Sequence, residues 1–402
     1  MSLGLRRLIV INGSPLPSVG GIQNYTLALV GEALRLGYEP IVVASGRANE
    51  PYYETAGAVH TYRLRSLQAI SGRFPIPYDP RQLVRLLREV FGPRDCALVV
   101  IQARFYPTSP LFAFAARIAG YPCAIVDHGA AYLTLENPLL DAVGAAYEHA
   151  VTWLERAARP TFYGVSDASV RWLASFGIRD ARIASNGVQH RLLEVHGRPV
   201  LAGDEPLRAI YCGRLLAQKG MLQAIDAFAQ LEREQPGRFQ LTIVGDGPLE
   251  AQVAERSATT ANVTFAGRRT HAQTLEAMAD SDVVLSPSTW PEGLCTASLE
   301  AGALGRVLAA TSFGGGADLL IANQTGVLLE DAEPPTIARA MLALSADRDS
   351  ARRFAEALRD RIAANYTWPR IFEPFLAQLG EVQTGRAGAA KAPRPPASAP
   401  LR

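Results

Sequence analysis

Cysteine is scarce, with four residues in 402 (Cys96, Cys123, Cys212 and Cys295), none in a Cys-x-x-Cys pair and none spaced with histidine for a metal. This excludes a disulfide framework and a zinc module, and it points to a reducing compartment. Long apolar runs are also missing. After the basic pair Arg6 and Arg7, the run Leu8–Ile11 stops at Asn12-Gly13, too short for a signal core or a membrane span. The chain is therefore expected to be cytoplasmic, with any membrane contact peripheral and at the inner face. An excess of one charge is absent as well. The net charge is +2, residues 385–402 hold four basic groups and no acid, and residues 1–384 consequently sum to −2. Without a basic stripe, nucleic acid is excluded as a main partner.

What is present is the composition of a globular protein: 48% apolar, 19% charged, 34 glycines and 27 prolines. The length suggests two domains, each able to build a core. No short-period repeat is visible, which excludes solenoids and propellers. Short β-rich runs alternate with helix-period runs, the pattern of parallel sheets covered by helices, so the fold class is α/β. The first half offers strands at 8–11, 40–44, 98–102, 124–127 and 162–165, with helices such as 23–36 and 138–158. The second half offers strands at 208–212, 240–244, 263–265, 283–286, 307–310 and 326–329, with helices beginning near Lys219, Pro248, His271, Gly293 and Ile337. Gly197, Pro199, Gly203 and Pro206 mark a linker over 191–206. Thr367 is placed to cap a last helix, and the Ala/Pro/Gly/Arg-rich tail 384–402 is expected to be disordered.

Gly20-Gly21-Ile22-Gln23 follows the first strand and opens a helix. It reads either as a cradle for an anion at a helix N-terminus or as a plain tight turn. It is not a GxGxxG fingerprint or a P-loop, so it names neither NAD nor ATP. Gly213-Arg214 through Lys219-Gly220 lies after the first strand of the second half, where doubly wound sheets bind ligands. Arg214 and Lys219 there either clamp a diphosphate or are solvated surface cations. Pro291-Glu292-Gly293-Leu294-Cys295-Thr296 leads to Glu300-Ala301, placing Glu292 at a helix mouth and Glu300 two turns inside, among packing residues. Two such carboxylates suit a ligand rich in hydroxyls; the alternative is one dipole-complementing and one surface Glu. Gly245-Asp246-Gly247-Pro248 reads as a βα turn lining the same cleft. His128, after a strand, is functional or structural, and Gly314-Gly315-Gly316 is a second candidate anion cradle. Asp280-Ser281-Asp282 has the look of a metal-binding DxD, but it reads as a helix-to-strand turn; no metal site is assigned.

Together these residues resemble the retaining GT-B glycosyltransferases of family 4, over nearly the whole chain. The carriers are Gly20-Gly21-Ile22 with Tyr25, Val165-Ser166, Ser185-Asn186-Gly187-Val188, Gly213-Arg214-Leu215 with Lys219-Gly220, Val244-Gly245-Asp246-Gly247-Pro248, and Glu292 through Glu300-Ala301. The resemblance implies two Rossmann-like domains facing a central cleft: 1–190 for the acceptor, 207–365 for the nucleotide sugar, and a helix in 366–383 crossing back to the first. It implies that Arg214 and Lys219 hold a nucleoside diphosphate, that Gly21 closes over it, that Glu292 contacts sugar hydroxyls and Glu300 the ribose, and that His128 lies near the donor sugar. Gly20, Gly213, Gly245, Gly293, Leu294, Cys295 and Thr296 complete the implied donor site. The implied reaction needs no cofactor and no metal: the sugar passes with retention to a hydroxyl acceptor, in polysaccharide, glycolipid or glycoconjugate synthesis. The sequence departs from the pattern at Gly305-Arg306, where Gly-x-Pro is usual, at Ala317-Asp318, where Glu is usual, and at Leu294, where an aromatic is common. A nucleotide-sugar epimerase on the same architecture and a non-catalytic partner remain the alternatives. Residues 61–95 are rich in arginine (Arg63, Arg65, Arg73, Arg81, Arg85, Arg88 and Arg94), and 81–91 has helical apolar spacing. That stretch is either an ordinary packed helix or a surface drawn to anionic lipid, which would suit a lipid-linked acceptor.

Overall fold

The structure is a computed structural model that describes residues 6–16, 20–47, 49–69, 74–93, 97–132, 134, 137–313 and 315–383. The tail 384–402, Arg73, Arg94, Cys96 and Gly314 lie outside the described residues. Two compact units are present, one holding the described residues up to Ser185 together with the final helix Trp368–Gln383, the other Asn186–Thr367.

The first unit contains β1 (Arg6–Pro15), β2 (Tyr38–Gly46), β3 (Tyr53–Ala56), β4 (Val59–Ala69), β5 (Phe74–Pro77), β6 (Ala97–Gln102), β7 (Cys123–Asp127), β8 (Thr161–Gly164) and β9 (Arg182–Ile183). Their order is β3-β4-β2-β1-β6-β7-β8-β9, with β5 on β4. The central strands are parallel and covered on both faces, which is why they read as unbroken apolar runs: Leu8, Ile9 and Val10 are all fully buried. Helices start where short polar side chains free the chain from the strand: Asp79 accepts from the Arg81 and Gln82 amides, and Asn137 from those of Leu139 and Leu140, each ahead of a proline.

The second unit is a six-stranded parallel sheet of β10 (Leu207–Cys212), β11 (Phe239–Val244), β12 (Val263–Gly267), β13 (Val283–Ser286), β14 (Val307–Thr311) and β15 (Val327–Leu329), ordered β12-β11-β10-β13-β14-β15. In each sheet the order reverses beside the first strand, between β1 and β6 and between β10 and β13. Ligands of doubly wound sheets bind outside the carboxyl ends of the strands at that point.

Three features differ from the sequence reading. Residues 53–56, 59–69 and 74–77 form the β3–β4–β5 antiparallel edge, where the sequence reading places no strand. The stretch 191–206 is not a free linker: Val200 and Leu201 enter the core of the second unit, the Leu201 amide donates to Asp282, and Arg348 and Arg352 reach the Leu201 carbonyl. The glutamate-bearing helix begins at Thr296 with Cys295 as its cap, so Glu292, Gly293 and Leu294 belong to the loop before it.

Candidate active site

The site of the second unit is built on the loops after β10 and β13. Gly245 has φ +151°, and a Cβ there would fall 1.9 Å from the Gly213 carbonyl oxygen. Glycine therefore lets the turn after β11 press against the turn after β10, an approach fixed by the Leu215 amide donating to Asp246 at 2.8 Å. Gly220, at φ +72°, is equally constrained, since its Cβ would meet the Pro287 carbonyl oxygen at 1.9 Å. That contact seats the turn Ala217–Lys219 beside Ser288, whose hydroxyl donates to the Gln218 carbonyl.

These constraints gather Gly213, Arg214, Lys219, Ser286, Glu292, Cys295 and Thr296 around one pocket of about 260 Å³. Arg214 is exposed, and no partner for its guanidinium is recorded among the described residues. Lys219 is ion-paired to Glu292; both are partly buried. Burial disfavours the ammonium, but Glu292 outweighs it and holds the Lys219 pKa above its ordinary value. Burial pushes the Cys295 thiol up, with Glu292 adding to it, so it is no thiolate nucleophile. The helix Thr296–Ala303 presents its N-terminal amides and positive dipole end at the same pocket.

The loop carrying Glu292 is held from a distance. The Asn186 side-chain amide donates to the Leu294 carbonyl at 2.7 Å, and the Gly315 amide donates to the carbonyls of Glu292 and Gly293. Gly245, Gly293 and the buried Leu294 thus shape the loops behind the pocket rather than line it. Glu300 is 7% exposed and accepts from the ring Nε2 of His271 at 2.7 Å. This hydrogen bond raises the His271 pKa, with burial opposing it. Asp282 is fully buried and accepts from the amides of Leu201 and Arg208, so the Asp280–Asp282 stretch is the helix-to-strand turn it resembles. Arg306, where proline is usual in the resembled family, is buried and caps the carbonyls of Arg198, Ala279, Ser281 and Leu304. Gly315 and Gly316 open only a short 3₁₀ turn, Gly315–Leu319, not the α-helix expected of a cradle.

In the first unit Gly20 caps the helix Gly21–Arg35, and a Cβ on Gly21 would meet nothing within 4 Å among the described residues. His128 directly follows β7. Its ring stands edge-on to Tyr25, with centroids 4.9 Å apart, and its Nε2 lies 2.6 Å from Gln102 Oε1. Burial brings its pKa down to about 3, so the imidazole is neutral. Tyr25 is fully buried; it donates to the Ala184 carbonyl and packs on Trp368 and Phe372.

Sequence reasoning passed over three groups. In the sequence Asn186 reads only as part of the Ser185–Val188 motif, His271 only as a helix start, and Gln102 only as the end of an apolar strand. A signal existed for the last: a lone amide closing the run Leu98–Ile101 at a strand's carboxyl end.

Comparison with known proteins covers both units. Residues 19–192 match the profile of Glycosyltransferase Family 4, and residues 197–361 that of Glycosyl transferases group 1. An uncharacterised glycosyltransferase of Methanocaldococcus jannaschii is 21% identical, over 92% of this chain and 97% of its own length. The GDP-mannose-dependent alpha-(1-6)-phosphatidylinositol monomannoside mannosyltransferase of Mycolicibacterium smegmatis is 28% identical, over 96% and 100%. The crystal structure of Anabaena HepE in complex with UDP superposes with a TM-score of 0.70 at 17% identity, covering 94% of this chain and all of that one. With two doubly wound units and matches along both, the chain belongs to the GT-B glycosyltransferases of family 4.

Proposed function

We propose that this glycosyltransferase moves a sugar from a nucleoside-diphosphate sugar to a hydroxyl acceptor with retention, using side-chain cations and a helix N-terminus in place of a metal. The observation that carries the reading is the gathering of the exposed Arg214, the Lys219–Glu292 pair and the Thr296–Ala303 N-terminus around one pocket at the sheet's switch point. A diphosphate leaving group gains negative charge as the C1–O bond breaks, and preorganised positive groups are worth most where that charge develops. Lys219 then exchanges Glu292 for phosphate oxygens, and Glu292 is released to accept from sugar hydroxyls. Glu300 accepts from the ribose, and His128 serves the donor sugar. The acceptor oxygen bonds to C1 on the face the diphosphate leaves, and its proton passes to the departing phosphate oxygen. Retention rests on the family resemblance. The relatives named for UDP and GDP-mannose support the donor class.

Calorimetry of UDP, GDP, ADP and dTDP with chelator present tests it. One nucleotide should bind selectively, and Arg214→Ala should weaken it about 10- to 100-fold, the worth of a charged hydrogen bond. Binding that the variant leaves unchanged removes Arg214 from the site. The anomer released from the donor, read by NMR, checks retention, and a rearranged nucleotide sugar formed without acceptor would instead favour an epimerase.

Peripheral membrane contact is part of the proposal. The helix Pro80–Phe91 buries Leu86, Val90 and Phe91 on the sheet and turns Arg81, Val84, Arg85 and Arg88 outward along an open groove of about 540 Å³. On the neighbouring β4–β5 hairpin Leu67 and Ile76 are exposed. No helix of the described residues is long and apolar enough to cross a membrane. Each arginine near an anionic surface contributes about 1 kcal/mol. The protein should float with vesicles containing anionic lipid, and Arg81→Glu with Arg88→Glu should abolish flotation; no flotation of the unaltered protein would end the idea.

A further inference from the structure

We propose that Gln102 is a positioning residue that fixes His128 as the Nε2–H tautomer, so that the ring offers Nδ1 as a hydrogen-bond acceptor to a sugar hydroxyl. The inference rests on the reading that His128 serves the donor sugar.

Gln102 is fully buried at the carboxyl end of β6, between β1 and β7. No substrate reaches an amide so enclosed, so its effect passes through the group it touches. Its Oε1 lies 2.6 Å from His128 Nε2, while its own Nε2 is buried with no hydrogen-bond partner. On the other side, Asn12 of β1 pairs in register with Gln102, is 1% exposed, and has an Oδ1 that also lacks a partner. Asn12 is itself oriented, its Nδ2 donating to the Ser14 carbonyl. The two unpaired atoms are complementary: an amide nitrogen on β6 and an amide oxygen at the same register on β1. In the structure Gln102 turns Oε1, not Nε2, to His128, and its Nε2 and the Asn12 Oδ1 stay a buried donor and acceptor with no recorded hydrogen bond between them among the described residues. A carbonyl oxygen can only accept, so the proton sits on His128 Nε2. Nδ1 keeps its lone pair, and no partner for it is recorded among the described residues. The edge-on Tyr25 ring limits rotation of the imidazole. Because burial keeps the ring neutral, its two nitrogens differ in role, and whichever accepts is decided by what the other donates to.

The test joins a spectrum to kinetics. Long-range ¹H–¹⁵N correlation of the histidine rings, with the His128 signals assigned by their loss in His128→Gln, should show an unprotonated Nδ1 and a protonated Nε2. Gln102→Met should mix the tautomers and lower kcat for release of nucleotide from the preferred nucleotide sugar about tenfold, the worth of one hydrogen bond, with nucleotide Kd unchanged. An unchanged melting temperature and unchanged nucleotide Kd in Gln102→Met guard against a misfolded variant. A protonated Nδ1 in the unaltered protein, or a Gln102→Met with wild-type spectrum and kcat, overturns the proposal. If His128→Gln itself leaves turnover unchanged, the failure lies with the donor-sugar role of His128 and not with Gln102.

Discussion

Lys219→Ala is expected to lower donor turnover by roughly 10²- to 10³-fold, the usual loss when one preorganised group facing a developing oxyanion is removed. Lys219 sits on a turn that Gly220 ties to Pro287 and is charged beside Glu292. Its loss would therefore take away the cation paired with Glu292 and leave only Arg214 and the helix N-terminus to offset repulsion between Glu292 and a bound diphosphate. The side chains of Lys219 and Glu292 are 27% and 23% exposed, so water replaces part of the lost pairing and the variant should fold with a melting temperature near that of the parent. Arginine at 219 should restore only part of the rate, since a planar fork does not occupy the place of a compact ammonium. Glu292→Gln separates the two partners. It keeps Lys219 for the phosphates, so nucleoside diphosphate should bind as well or better while sugar turnover falls. The measurements are nucleotide release from the donor that calorimetry selects and Kd for the nucleotide. Undiminished turnover in Lys219→Ala would remove the lysine from the mechanism.

The ends of the strands were legible because a strand buried on both faces is an unbroken apolar run. All five expected in the first half and all six in the second match observed strands to within a few residues, β1 and β2 running on further at their ends. The Gly213–Gly220 loop was legible for a related reason: its backbone permits contacts that only glycine allows, and glycine is visible in sequence. What escaped depends on partners far along the chain. Helix Thr296–Ala303 starts three residues after Gly293 because Asn186 and Gly315 hold the intervening loop, and neither lies near it in sequence. The edge β3–β4–β5 escaped because Pro75 and Pro77 and the interspersed arginines look like loop, and pairing such as Leu67 with Ile76 is a long-range fact. Expected linker residues 200 and 201 pack into the core, and Asp282, 81 residues on from Leu201, supplies an acceptor for its amide.

Arg104 shows the same limit with the largest expected effect on stability. A lone arginine in Ala103-Arg104-Phe105 reads as a surface cation, yet it is 1% exposed. It donates to Asp127 at 2.8 Å, Glu148 at 2.6 Å and Thr152 at 3.0 Å, and its guanidinium lies 3.7 Å from the Phe176 ring centroid. Burial disfavours its charge, but the two carboxylates outweigh that. Glu155, also fully buried and with neither oxygen hydrogen-bonded, has its pKa pushed well above the usual carboxylate range by burial, Arg104 opposing. Arg104→Met takes from the buried Asp127 and Glu148 the counter-charge they share, and removal of one partner from a buried ion cluster costs about 3–5 kcal/mol. Adding Asp127→Asn and Glu148→Gln should recover much of that loss, because the two groups that Arg104 served are then neutral. The pH dependence follows in sign. Uncompensated burial raises the folded pKa of a carboxyl above its unfolded value, so the folded state holds more protons and stability is lost as pH rises past the unfolded pKa. Glu155 imposes that slope on the unaltered protein, and Glu155→Gln should flatten it; Arg104→Met should steepen it, being least destabilised near the acid end of the range. Asp127 immediately precedes His128, so the same variant should also disturb the His128 imidazole. Thermal unfolding from acid to mildly alkaline pH decides the matter: a cost under about 1 kcal/mol for Arg104→Met, or a slope that steepens with acid instead, would mean that water reaches the cluster and no buried charge depends on Arg104.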